Sequence, residues 1–254
     1  MVEDGYVVDA DAAVVDADAA AVDGREPPSS RQALDRERIV STAVQFIDEF
    51  GLPSLSMRRL GAALGVEAMS LYRYVPGREN LLDAVVQDIV DEMRHDDDVL
   101  AAPRDGWQDF LQRLAHGIRR VALAHPKAFP LVASRPPEAP WLRPPLRNLT
   151  WVESFLDGLL SEGFTDESAV AAYRAFTSFL LGHLLLEVSS LGADVGPLDV
   201  LDDQEESNEK SMASYPTVDR LRESLAEDHS AVEFEESLED LLNRIALLQS
   251  EASG

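Results

Sequence analysis

The chain contains no cysteine. Disulfides, thiolate nucleophiles and cysteine-bound metals are therefore excluded, which suits a reducing, cytoplasmic setting. Base is scarce: 22 lysines and arginines stand against 47 aspartates and glutamates, a formal net charge of −25 at pH 7. Phosphate affinity needs local cations, so that sum alone argues against nucleic acid. Uninterrupted apolar runs long enough to span a bilayer are missing too. The nearest approach, Ala169 to Val188, carries Arg174, His183 and Glu187 and reads better as a buried bundle helix, so no membrane is expected. No basic segment precedes the alanines and valines at the N-terminus, so no secretory signal is read there. A phosphate loop, a zincin motif, a nucleophile elbow and paired motif carboxylates are absent, and the five histidines are scattered. An enzyme in the helical body thus loses its support, and neither cofactor nor metal is expected.

What is present is unevenly distributed. Residues 1–30 hold "VVDADAA" twice in tandem, then Pro27-Pro28 and Ser29-Ser30. Aspartates alternating with small apolar residues leave no stripe wide enough to bury, so an acidic disordered tail ending in a linker is expected. Between 31 and 80 the balance shifts: Arg31, Arg36, Arg38, Arg58, Arg59, Arg73 and Arg78 slightly outnumber the acids. Location matters more than the sum, and a tail of opposite charge beside that island could cover it as a weak DNA mimic.

Helical periodicity begins at Asp35, a ready N-cap, and runs through Ile39, Ala43, Phe46, Ile47 and Phe50 to Gly51. A second short helix follows from Ser56 to Leu64, with Gly65-Val66 as the turn. The spacing predicts a third over Glu67–Val75, with Ala68, Leu71 and Val75 inward, Met69 and Arg73 outward, and Ser70 and Tyr72 on the flanks. Two short helices joined by a glycine turn, the second projecting arginine, tyrosine and a small hydroxyl, match a helix-turn-helix. Any small three-helix unit shows similar apolar spacing, so pattern alone leaves both readings open.

The residues "GLPSLSMRRLGAALGVEAMSLYRYVPGRENLLDAV" resemble the N-terminal domain of the TetR family of transcriptional repressors, in its tetracycline-repressor branch. The likeness runs from about Leu34 to Asp91 and resumes in "WQDFL", "SRP" and "EGFTDESAVAAYRAF". It implies an all-α fold: a helix-turn-helix domain at 31–80 and a larger helical ligand-binding and dimerisation domain at 81–254. It implies that Met69, Ser70, Tyr72, Arg73 and Tyr74 face DNA and that Arg58 reaches a base edge. Arginine can donate two parallel bonds to guanine, while tyrosine and serine hydroxyls more naturally hold phosphates. Arg78, beyond Pro76-Gly77, is a candidate phosphate anchor; its plainer reading is a surface arginine pairing nearby acids. Where the branch places a base-reading glutamine this chain has Ala68, so its operator should differ.

Helix four, about Arg78 to Met93, would carry a signal from head to body. In the branch, histidines and an asparagine hold a magnesium-chelated drug; the matching positions here are Leu131, Leu114 and Arg94. The implied inducer is therefore a less polar, apolar or aromatic compound. Phe110, Leu114, Ile118, Phe129 and Leu131 are candidate lining, with Trp151, Phe155, Phe176 and His183. His183 and Glu187 lie four apart on one helical face; a hydrogen-bonded polar spot is a plainer reading than a metal pair. Residues 189–215, with "DDQEESNEKS", are expected to form a mobile acidic loop. Residues 167–188 and 231–249 would supply two helices per subunit to a homodimer, as in the family, with packing inside one subunit as the alternative. The function implied is a ligand-responsive repressor on a near-palindromic operator of double-stranded DNA. The alternative is a helical small-molecule-binding protein or enzyme without specific DNA binding; for the binding protein the acidity is the motive.

Overall fold

Asp35 opens the first helix as expected, its side chain accepting from the Arg38 amide at 2.8 Å. The computed structural model describes residues 33–95, 103–134, 142, 149–194 and 214–251, and every regular element among them is helical. The tail at 1–30 and most of the 189–215 segment lie outside the described residues. From Asp35 onward the chain forms one unit, separate from residues 1–34.

The head is α1 (Arg36–Phe50), α2 (Met57–Leu64) and α3 (Ala68–Leu71). Ile39, Val40, Ala43 and Ile47 form the buried stripe of α1, and Gly51 at φ 79° ends it by donating to the Ile47 carbonyl at 2.7 Å. Ser56 caps α2 by accepting from the Arg59 amide at 3.2 Å, and Gly65 follows in the left-handed region at φ 70°. Helix α3 is shorter than expected. It ends at Leu71, and residues 72–74 form a turn in which Tyr74 and Val75 both donate to the Leu71 carbonyl at 2.9 Å. Pro76 is the physical reason: the residue before a proline is pushed out of the helical region, so the last turn tightens and stops. The facing pattern still holds, with Leu71 and Val75 buried and Met69 outward.

Helix α4 (Arg78–His95) packs on α1 near its start and on α5 and α6 further along, through Leu81, Leu82, Val85, Val86 and Ile89. The body comprises α5 (Trp107–Ala124), α6 (Phe129–Ser134), α7 (Leu149–Ser161) and α8 (Asp166–Ser190), then α9 (Pro216–Arg220), α10 (Arg222–Ala226) and α11 (Ser230–Glu251). A Cβ on Gly158 would fall 2.9 Å from the Phe110 ring, so α7 sits close on α5 there. Helix α8 is long and apolar enough to cross a membrane by length and composition, yet it packs against α5, α6, α7 and α11. Thr165 and Ser168 form a capping box at its start. The Trp107 indole donates to Gln249 Oε1 at 3.0 Å, and Gln249 Nε2 donates to the Glu162 carbonyl at 3.0 Å, tying α11 to the start of α5 and the end of α7.

One boundary differs from expectation. Ser189 and Ser190 belong to α8, and Ala193 is buried behind a turn at Gly192 (φ 85°), so the loop does not begin at 189. Residues 216–226 form α9 and α10, both exposed throughout; with no buried face they leave no periodic signature to read.

Candidate nucleic-acid interface and ligand cavity

Gly61 sets how α2 meets α3. Its Cβ, were there one, would lie 2.9 Å from the Val66 carbonyl oxygen and 3.2 Å from the Ala68 nitrogen, so only glycine lets the turn close this tightly. Helix α3 then stands out from the head with Met69 75% exposed, while Tyr72, Arg73 and Tyr74 are exposed and Ser70 is half-buried. The two arginines of α2 divide the work. Arg59 donates to the Ser54 carbonyl at 2.9 Å and lies over the Phe46 and Phe50 rings at 5.0 and 5.7 Å, which fixes α2 on α1. Arg58 is exposed. Arg78, half-buried at the start of α4, donates from Nε to the Leu55 carbonyl at 3.5 Å, with Glu79 4.0 Å from Nη1. The predicted DNA-facing side chains are thus carried by α3 and the turn after it, by the first turn of α2, and by the first turn of α4, which is bonded to Leu55 just before α2. What the surface offers is guanidinium and hydroxyl donors beside an exposed thioether: a chemistry for phosphates, base edges and thymine methyls.

In the body, side chains from α4 to α8 enclose a narrow apolar cavity of about 600 Å³, its open mouth included. Ile118, Phe129, Trp151 and Phe176, expected as lining, are brought together there. Val90 and Met93 of α4, Val132 of α6 and Leu180, Leu181 and Thr177 of α8 complete the wall. None of these was read from the sequence. They share the helical periodicity of ordinary core, and nothing local distinguishes a wall from a packed interior. Phe110, Leu114, Leu131 and Phe155 are buried off that wall. Phe155 backs it, with its ring centroid 6.3 Å from Trp151 and 5.4 Å from Phe176. The Thr177 hydroxyl and the Trp151 indole N–H are the polar side-chain groups of the lining. On the same helix, burial pushes the Tyr173 phenol up to about 12, so it stays neutral.

His183 does not reach the cavity. It lies between Phe179 and Phe234, ring centroids 5.8 and 5.2 Å away, because its helical position faces α11. Glu187, one turn on, is bound instead by Arg119 of α5, with Nε donating at 3.0 Å and Nη2 closing a bidentate pair. The hydrogen bonds to Glu187 raise the Arg119 guanidinium against opposing burial. Among the described residues no group of three or more His, Asp or Glu is arranged to hold a metal ion.

The family described as "Bacterial regulatory proteins, tetR family" matches residues 39–85, and "Tetracyclin repressor-like, C-terminal domain" matches 101–247. The chain is 32% identical over 160 residues to the HTH-type transcriptional repressor DrrR1 of Streptomyces coeruleorubidus, covering 63% of this chain and 56% of that protein. It is 31% identical over 153 residues to the tetracycline repressor protein class D of Escherichia coli, covering 60% and 66%. The matched part is thus somewhat under two thirds of either relative. A possible TetR family transcriptional regulator from Streptomyces coelicolor superposes with a TM-score of 0.64 at 30% identity, covering 84% of this chain and all of that one. ActR of Streptomyces coelicolor, solved in complex with actinorhodin, gives 0.60 at 27% identity, covering 84% and 95%. With both halves matched, the second over more than half of the chain's length, the chain belongs to the TetR family of bacterial regulatory proteins.

Proposed function

We propose that the protein is a ligand-responsive, DNA-binding transcriptional repressor that acts as a homodimer and is released from its operator by an apolar or aromatic compound. The observation that carries this reading is α4. It starts beside the exposed donors of α3 and places Val90 and Met93 in the cavity wall, so one helix is shared by the head and the cavity. The cavity supports a largely uncharged ligand, because a charge would be buried without a partner. Thr177 offers it one hydrogen bond. The neighbour ActR, solved with actinorhodin bound, supports a body that holds small molecules. Arg58, Met69, Ser70, Tyr72, Arg73, Tyr74 and Arg78 carry the DNA contact. Catalysis has no place in this scheme, and the relatives above are regulators by name.

Dimerisation uses the outer faces of α8 and α11. On α8, Val170, Arg174, Ser178, Gly182 and Leu186 form an exposed row at every fourth residue; on α11, Val232 and Leu247 are exposed. Small residues in the middle of the row allow a second helix to approach closely. Two heads about 34–36 Å apart would then meet successive major grooves of a near-palindromic site. A ligand releases DNA only by favouring a different head separation, since equal affinity for both states shifts nothing.

The test is selection of duplexes from a random pool by the purified protein, followed by anisotropy titrations of the enriched duplex with increasing salt. Sequence-selective, steeply salt-dependent binding supports the reading. Failure to prefer any sequence favours a helical small-molecule-binding protein without specific DNA affinity, to which the net charge of −25 would then belong. A thermal-shift screen with uncharged aromatic compounds tests the cavity separately.

A further inference from the structure

His125 stands in the short turn between α5 and α6. Its Nδ1 lies 2.6 Å from Asp48 Oδ2 on α1, and its Nε2 lies 2.9 Å from Glu92 Oε2 on α4. An ionised carboxylate only accepts, so a ring bonded through both nitrogens is the doubly protonated imidazolium. The hydrogen bond to Asp48 leads in pushing His125 up to about 9, against opposing burial. The other Asp48 oxygen is buried with no hydrogen-bond partner, which leaves that carboxylate dependent on His125. Lys127, two residues on, donates to the Glu49 carbonyl of α1 at 2.9 Å. Asp88 of α4 is raised by its burial and then by its neighbours Glu92 and Asp91, with Glu37 of α1 adding to them and His125 opposing. Helix α6 carries no titratable side chain.

The backbone of the same residue starts α6: its carbonyl accepts from the Ala128 and Phe129 amides at 3.1 and 2.8 Å. Phe129 and Val132 line the cavity from α6, while Val90 and Met93, on either side of Glu92 in sequence, line it from α4. One residue is therefore bonded through its ring to the two helices that carry the head, and through its carbonyl to the cavity wall.

We propose that His125 is the positioning residue that couples the cavity to the head, its imidazolium holding Asp48 of α1 and Glu92 of α4 while its carbonyl fixes the start of α6. Displacing Phe129 or Val132 then moves the clamp, and the clamp moves α1 and α4 together. This rests on the reading of a ligand-responsive DNA-binding protein and names the element by which it responds.

The experiment needs no identified ligand, because Val132→Phe fills the cavity from α6 and stands in for an occupant. Affinity for an enriched duplex is measured for wild type, V132F, H125Q and the double variant. The expected result is that V132F weakens binding about tenfold in the wild-type background, within the usual span of coupling between sites, and less than about threefold beside H125Q. A merely structural His125 would lower thermal stability and leave that ratio unchanged. Asp48→Asn repeats the test from α1 should H125Q fail to fold, and the same loss of coupling is expected. In wild type the V132F effect should also shrink as pH rises from about 7.5 through about 9, and stay flat beside H125Q. A V132F effect of equal size with and without His125 overturns this proposal and leaves the ligand-responsive reading intact. No V132F effect in either background, or no duplex enriched at all, overturns both.

Discussion

Gly61→Ala sets two sizeable effects of opposite sign against each other. Within a helix, alanine is favoured over glycine by about 0.8–1 kcal/mol, and on that ground the substitution would stabilise α2. The geometry opposes it. The added methyl would lie 2.9 Å from the Val66 carbonyl oxygen, 3.2 Å from the Ala68 nitrogen and 3.3 Å from the Ala68 Cα, all of them backbone atoms. None can rotate away, and the Val66 amide is held in the same turn by its 2.9 Å bond to the Gly61 carbonyl. Overpacking of this kind costs about 1–3 kcal/mol, so the net expectation is a loss of up to about 2 kcal/mol. Urea unfolding followed by far-UV circular dichroism, at fixed protein concentration because dimers stabilise by mass action, should show the midpoint falling by up to about 1 M with an unchanged slope. Duplex affinity should fall as well, since the methyl can fit only by opening the angle between α2 and α3. Gly65→Ala is the control: nothing lies within 4 Å of its Cβ, but φ is 70°, so its cost of about 1 kcal/mol is conformational and should spare DNA binding. A raised midpoint for Gly61→Ala would refute the reasoning, for it would mean the turn has slack that helix propensity can use.

Arg78→Ala should lower the salt dependence of duplex binding by about one unit for each phosphate that Arg78 neutralises, measured as the slope of log affinity against log salt. A wholly internal role through the Leu55 carbonyl would leave that slope alone. Arg119→Met should cost about 3–5 kcal/mol by denaturant unfolding, because it strands a Glu187 only 6% exposed; Arg119→Met with Glu187→Leu should recover most of it. The His125 clamp predicts a stability that depends on pH. Its pKa in the folded state, about 9, lies above the ordinary 6.5, so its contribution is whole below about pH 6.5 and is lost as pH rises through 9. Solvent screening at the half-exposed Glu92 holds the loss to about 1–2 kcal/mol, read as a fall in the denaturation midpoint that H125Q should lack.

Local chemistry was legible in the sequence. Asp35 and Ser56 cap α1 and α2 as read, Gly51 and Gly65 end them, and the inward pair Leu71 and Val75 survives a helix that stops four residues early. Capping and apolar spacing depend on neighbours within one turn, so a single sequence contains them. Contacts distant along the chain left no such trace. Glu92 and Asp48 lie 33 and 77 residues from His125, and no spacing rule links a turn histidine to acids on two other helices. The cavity shows the same limit. Of the nine positions expected, Ile118, Phe129, Trp151 and Phe176 line it, while Val90, Met93 and Val132, which bring α4 and α6 to the wall, read as core. A wall and a core obey one periodicity, and only the shape of the assembled helices separates them.

The acidity that argues against nucleic acid is resolved by placement rather than by sum. On the head, the exposed guanidinium groups of Arg58 and Arg73 stand at α2 and beside α3, where no carboxylate pairs with them among the described residues. The carboxylates of Asp48 and Glu92 are turned onto His125 and so are partly neutralised by a cation the protein supplies itself. Asp88 of α4 is raised by its burial and by its neighbours Glu92 and Asp91, with His125 opposing, so loss of the His125 proton removes a cation that eases this acidic cluster as well as a hydrogen bond. Beside the apolar packing of α4, the joint between head and body thus holds two carboxylates about a single proton, favourable while the proton stays and less so once it leaves. That is the physical condition for a joint that can be shifted by the small displacements an occupant of the cavity would impose.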